Sequence, residues 1–217
     1  HLAVYQLQQG QLVQSWQAGD AQPGNAVLQP AQGFGFDLQL APGTSELFIR
    51  AATDDPLILQ VMLQPQATVE LNDLRVHYGY GLLYGFLLAL TAYNALLYGG
   101  LRSTSYLYYA LYLLSFILGS LAYTGHGFAW WWPQNFALQR YVILVAMVVM
   151  GCCGYLFAIR FLELARHAPL AKRLVVGGSV TALLLLALLV VQGNQFGAAL
   201  LAFSFLSLFA VIMVWLG

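Results

Sequence analysis

HYGYGLLYGFLLALTAYNALLYGGLR, residues 77–102, decides how the rest of the chain is read. Between His77 and Arg102 lie 24 residues without an Asp, Glu, Lys or Arg. A helix of about 20 apolar residues crosses the hydrocarbon core of a bilayer. No water pairs with backbone amides there, so a continuous helix is the form that such a run takes. The pattern then repeats. Residues 103–125 give 23 uncharged residues, 141–159 give 19, and 174–217 give 44. The last run is long enough for two helices, and QGNQFG at 192–197 supplies the Gly and Asn that end the first of them. Five spans are expected, near 78–98, 104–124, 139–159, 174–191 and 198–217.

Composition agrees. The chain is 60% hydrophobic and 7% charged, against about a quarter charged in an ordinary soluble domain. A surface so poor in charge needs lipid. The formal net charge is zero, with Lys172-Arg173 the one basic doublet, so no nucleic-acid partner is expected. That zero hides an asymmetry. Residues 1–77 hold seven of the eight acids against Arg50 and Arg75, whereas residues 78–217 hold six bases against Glu163 alone. Two domains in two environments would produce this split. The chain opens at His1 without a signal sequence and reads as a piece of a longer protein. Cys152 and Cys153 are adjacent within an apolar run and read as small buried hydrophobes.

Residues 1–75 read as β. Alternating runs (AVYQLQ, GFDLQLAP, ELFIRAA, PLILQVMLQP) are punctuated by AGDAQPGN, APGTS and TDDP. FDLQL should be a half-buried antiparallel strand, with Phe36, Leu38 and Leu40 on one side. ELFIR and LILQVML are denser in apolar residues and should be more buried. The expected architecture is an incomplete all-β sandwich over 1–75, then a membrane helical bundle over 76–217.

Basic residues in short loops set the orientation. Arg102 lies in one loop; Arg160, Arg166, Lys172 and Arg173 lie in another, two spans later. Both loops are then cytoplasmic, and the β domain and the GHGFAWWWPQNFALQR loop (125–140) are outside. Trp130, Trp131 and Trp132 fit the outer membrane–water boundary, where indole rings keep an apolar body in lipid and one N–H in water. The lesser alternative, which can hold at the same time, is a docking surface for the β domain or one side of a ligand site.

No catalytic constellation is present: no HExxH, no GxSxG, no phosphate loop, no paired Cys or His ligands. No metal or other cofactor is implied. The spans lack ionisable groups except for Arg140 at the edge of the third, whereas pumps and proton-coupled transporters usually need such groups at membrane depth. The bundle therefore reads as a relay rather than a conducting path. Asn94 is expected to bond a neighbouring helix. The small residues Gly81, Gly85, Gly119, Gly151 and Gly154 fit either close helix packing or lipid exposure. RFLELARHAPLAKR should form a short amphipathic helix on which Glu163 can pair with Arg160 or Arg166. With His167, these residues are candidates for a cytoplasmic coupling element.

Several of these stretches together resemble a known family. YGYGLLYGFLLALTAYNALLY followed by GGLRSTSYLYYALYLLSF looks like the first two helices of the bacterial seven-transmembrane receptors with diverse intracellular signalling modules. The Tyr93-Asn94 pair, the short loop with Arg102, and Tyr106, Tyr108 and Tyr109 carry the likeness. Phe161, Leu162, Glu163, Leu164 and Pro169 resemble the family's loop after the third helix, and Gly125, Trp132 and Pro133 fit its outer loop. AGDAQP and FDLQLAPGTSELFIRA are similar to the end of its extracellular sensor domain.

The resemblance implies a jelly-roll-like domain that binds carbohydrate or similar small ligands. It also implies seven helices and a cytoplasmic kinase, cyclase or phosphatase module. Only five spans and no output module fall within these residues, so catalysis would lie beyond residue 217. Trp16, Phe34 and Phe36 are candidates to stack on a sugar. The leading expectation is a receptor of the bacterial inner membrane with its N-terminal domain outside, as a homodimer if it follows common receptor practice. A transporter or permease component with a periplasmic domain is the alternative.

Overall fold

The first paired elements are a hairpin whose turn is written in the residues. β1 (Leu2–Gln8) and β2 (Gln11–Ala18) are antiparallel, with Gln8 opposite Gln11. Only Gln9 and Gly10 lie between them, at φ 51° and 78°. Two consecutive positive φ values match the twist of the flanking strands, as in a type I′ turn. Our computed structural model describes residues 2–19, 27–29, 33–40, 42–52, 59–133, 135–163, 166 and 169–216. The AGDAQPGN and TDDP turns lie mostly outside these residues, and His167 lies outside them.

β5 (Ser45–Ala51) pairs antiparallel with the other side of β1, which gives the order β2-β1-β5. A separate ribbon joins β3 (Val27–Gln29) to β4 (Gly33–Gly35). Val4 and Trp16 face each other across the β1–β2 ladder and are both buried. Phe36 packs edge-on against Trp16, with ring centroids 6.2 Å apart.

Three sequence expectations fail in this unit. FDLQL belongs to no ladder among the described residues; Gln6, buried in β1, donates from Nε2 to the Gln39 carbonyl at 2.9 Å instead. That side-chain bond takes the place of strand pairing. ELFIR does form β5, yet Phe48 is 55% exposed. Apolar density buries a strand only where another layer covers it, and β5 is at the sheet edge. The described part of LILQVML, residues 59–63, is not a strand, and Met62 is 74% exposed. It leads into Pro65, whose carbonyl accepts from Thr68 and Val69 as α1 begins.

α1 (Gln66–Leu101) has 36 residues, or about 54 Å at 1.5 Å per residue. This exceeds the hydrocarbon thickness of about 30 Å. Its first turns carry Glu70, Asp73 and Arg75, which the charge-free count had placed outside the span. The remaining helices are α2 (Thr104–Tyr123), α3 (His126–Trp130), α4 (Phe136–Phe161), α5 (Pro169–Val191) and α6 (Gln195–Leu216). Among the described residues, five helices are long and apolar enough to cross a membrane. The architecture is thus a membrane helical bundle preceded by an antiparallel β unit.

Helix ends follow local chemistry. Asn135 and Asn194 cap α4 and α6, with their Oδ1 atoms accepting from Leu138 N at 3.0 Å and Gly197 N at 2.9 Å. Gly193, at φ 70°, closes α5 in the left-handed conformation. The expected amphipathic helix over 160–173 does not form as one piece. Arg160 is in the last turn of α4, Glu163 leaves the helix at φ 48°, and α5 starts at Pro169, a residue suited to a first helical position. Among the described residues no ion pair joins Glu163 to Arg160 or Arg166.

By packing, residues 1–77 and 124–139 form one compact unit, and 78–123 with 140–217 form another. In the second, α4 is central. Its Leu144, Val148, Cys152 and Tyr155 pack with Ala182 and Leu186 of α5 and with Ala198, Ala202 and Phe205 of α6. Tyr84 and Leu87 of α1 meet Leu113, Ile117 and Leu121 of α2. The glycines divide into two groups. A Cβ on Gly151 would meet the Phe205 ring at 2.8 Å, and one on Gly154 the Phe209 ring at 2.6 Å, whereas Gly81 and Gly85 face open space. Close packing explains the former and lipid exposure the latter. Asn94 is buried but donates to Leu90 O of its own helix at 2.8 Å, and among the described residues no bond joins it to a neighbouring helix. An i−4 carbonyl is always within reach of such a side chain, so no interhelical partner is needed. Cys152 and Cys153 are buried free thiols.

Candidate functional site

The first unit brings together the outer end of α1 and the segment 124–139. Two antiparallel spans, α1 and α2, return the chain to the side from which it entered, so His77 and His126 can meet although they are distant in sequence. Their rings stand edge to face, with centroids 5.5 Å apart and planes at 80°.

Gly125, at φ 78°, turns the chain out of α2 and opens α3. His126 follows it and is fully buried. Its Nδ1 lies 2.8 Å from Thr124 Oγ1. One helical turn on, Trp130 presents its indole to the imidazole at 5.0 Å and 68°. Trp130 also lies 6.3 Å from the His77 ring. His77 Nδ1 is 2.8 Å from the Asp73 carbonyl, which accepts from it, and 3.3 Å from Asp73 Oδ1. An i, i+4 spacing on α1 produces this pairing.

Burial holds the His126 pKa below the ordinary histidine range. His77 beside it acts in the same direction, and the Asp73 carboxylate opposes both. His126 is therefore a neutral imidazole at neutral pH, enclosed by a hydroxyl, a second imidazole and an indole.

The tryptophans are not equivalent. Trp130 is 58% and Trp131 66% exposed, while Trp132 is half-buried. Trp132 donates from Nε1 to Gln139 Oε1 at 2.8 Å, and its indole fills the space a Cβ on Gly127 would need. Phe128 and Phe136 pack at 5.5 Å. These contacts tie α3 to the start of α4, so a stretch that reads as a loop is a packed corner.

Trp16 does not offer a ring face to a ligand, because it is 5% exposed in the sheet core. Phe34 on β4 is 36% exposed. Arg160, Glu163 and Arg166 are exposed and belong to the second unit, whereas the histidine pair belongs to the first. Sequence reading missed the Asp73–His77–His126–Trp130 grouping. The available signal was positional: His77 begins the first apolar run and His126 follows the second. Among the described residues no group of three or more His, Cys, Asp or Glu could hold a metal ion.

Comparison with known proteins gives two matches. Residues 77–217 match the family model described as 7TM diverse intracellular signalling, and residues 1–65 match the one described as 7TMR-DISM extracellular 2. No curated protein and no solved structure matches the chain.

Proposed function

The chain belongs to the 7TM diverse intracellular signalling family, a multi-pass, receptor-like signalling protein with an extracellular domain, and on that premise we propose that it senses a small ligand outside the bacterial inner membrane. The ligand is of the carbohydrate class, and the helix bundle passes its occupancy to a cytoplasmic kinase- or cyclase-type module of the full-length protein.

One observation supports the relay above others. The segment joining α2 to α4 packs in the same unit as the β sheet and the outer turns of α1. A ligand that changes the sheet then acts within the unit that holds the first turns of α1 and the segment joining α2 to α4. Two discrete arrangements of such a corner would bias the bundle, provided that the ligand prefers one of them. Of the aromatic candidates read from the sequence, Trp130, Trp131 and Phe34 are exposed and offer ring faces to a sugar.

The test uses the full-length receptor in nanodiscs with a panel of oligosaccharides and reads both tryptophan fluorescence and output activity. At least one sugar should shift both, and Trp130→Ala should uncouple the output from the fluorescence change. If every sugar leaves both signals flat, the carbohydrate reading is wrong. If a ligand binds but Trp130→Ala signals normally, the corner is not the relay.

A further inference from the structure

The second unit contains a cavity of about 290 Å³ that the signalling reading does not use. Tyr109 and Tyr112 of α2, Phe157, Ala158 and Phe161 of α4, and Phe209 of α6 line it, with no polar surface. The wall is made of rings in contact. Tyr109 and Phe157 are 5.5 Å apart, and Phe157 stacks on Phe161 at 5.4 Å and 18°. Gly154 lets Phe209 and Tyr112 approach, since a Cβ there would meet both.

The cavity lies at one end of the bundle. Tyr109 is near the start of α2, and Phe161 is the last residue of α4. That end also carries the bases. Arg160 precedes Phe161 in the last turn of α4, Arg102 stands just before α2, and Lys172 and Arg173 are in the first turns of α5. All four are exposed. An apolar slot between spans, at the end of the bundle that carries the exposed bases, has the chemistry of one molecule: an acyl chain joined to an anionic headgroup. Basic sites between helices on the cytoplasmic side bind anionic lipids in this way. Arginine also reaches from a helix end to the interface along its apolar stem.

We propose that this cavity is a specific anionic-phospholipid site, with one acyl chain among Tyr109, Phe157, Phe161 and Phe209 and the headgroup phosphate on Arg160. Arg102 lies at the same end of the bundle and adds positive potential.

Delipidated full-length receptor, given dioleoyl phosphatidylglycerol or dioleoyl phosphatidylcholine and read by native mass spectrometry, tests it. Phosphatidylglycerol should be retained at least about fivefold more tightly, and Arg160→Gln should remove about that factor while leaving phosphatidylcholine unchanged. Ala158→Phe, which fills the slot, should abolish retention of both. A phosphatidylglycerol with a photoreactive acyl chain adds an arm that needs no variant. It should label peptides spanning 109–112 and 154–162. Equal retention of the two lipids, or label spread over the exposed apolar face of α1, would overturn the proposal. So would an unlabelled slot already occupied by protein in the full-length receptor.

Discussion

Replacing Gly127 with alanine tests the packed corner directly. The added Cβ falls on the Trp132 indole, so the ring must move. Overpacking of this kind costs about 1–3 kcal/mol. The displaced ring also loses its bond to Gln139 Oε1, worth about 1 kcal/mol. Alanine's better helix propensity returns about 0.5–1 kcal/mol. The balance is a destabilisation of about 2 kcal/mol, or about 4–8 °C in a chain of this size. Thermal unfolding of the receptor in nanodiscs, followed by tryptophan fluorescence, measures it. The decisive comparison is a double-mutant cycle with Trp132→Ala. Once the ring is gone, Gly127→Ala should be neutral or slightly stabilising. The same loss in both backgrounds would mean that Trp132 is not what the new methyl meets, and the reasoning would fail.

Three further outcomes follow from the same structure. Because the folded pKa of His126 is lowered, both states are neutral at high pH, and the unfolded chain takes its proton first as pH falls below about 6.5. Unfolding temperature should therefore drop from about pH 7.5 to 5.5 and drop less in His126→Asn; parallel curves would remove His126 as the cause. Gly151→Ala presses on the Phe205 ring and should cost about 1–3 kcal/mol, whereas Gly85→Ala, facing open space, should be neutral or stabilising; equal effects would contradict the division of the glycines. Asn94→Leu should cost less than about 0.5 kcal/mol, because the amide bonds its own helix; a loss of about 1–2 kcal/mol would restore an interhelical bond.

His77 and His126 sit where two spans end, beside the exposed Trp130. They lie in the unit that holds the first turns of α1 and the segment joining α2 to α4.

The amino-acid order by itself determined the five spans, the β character of the N-terminal residues and the break near Gly193. Each is a local consequence: absence of charge forces a helix in lipid, alternation favours strands, and a left-handed glycine ends a helix. Family resemblance was legible too, because it lies in the order of short motifs such as Tyr93-Asn94 and Phe161–Leu164. Only the tertiary structure decided the rest. It put Trp16 in a core and Phe48 at a bare edge, although both lie in apolar, strand-forming stretches, because burial depends on which other element covers a face. Gly151 was separated from Gly85 by the presence of Phe205, a residue from a distant helix. The pairing of His77 with His126 likewise needed two helices to run out and back. Covering, approach and pairing are properties of elements far apart in the chain, and local pattern does not encode them.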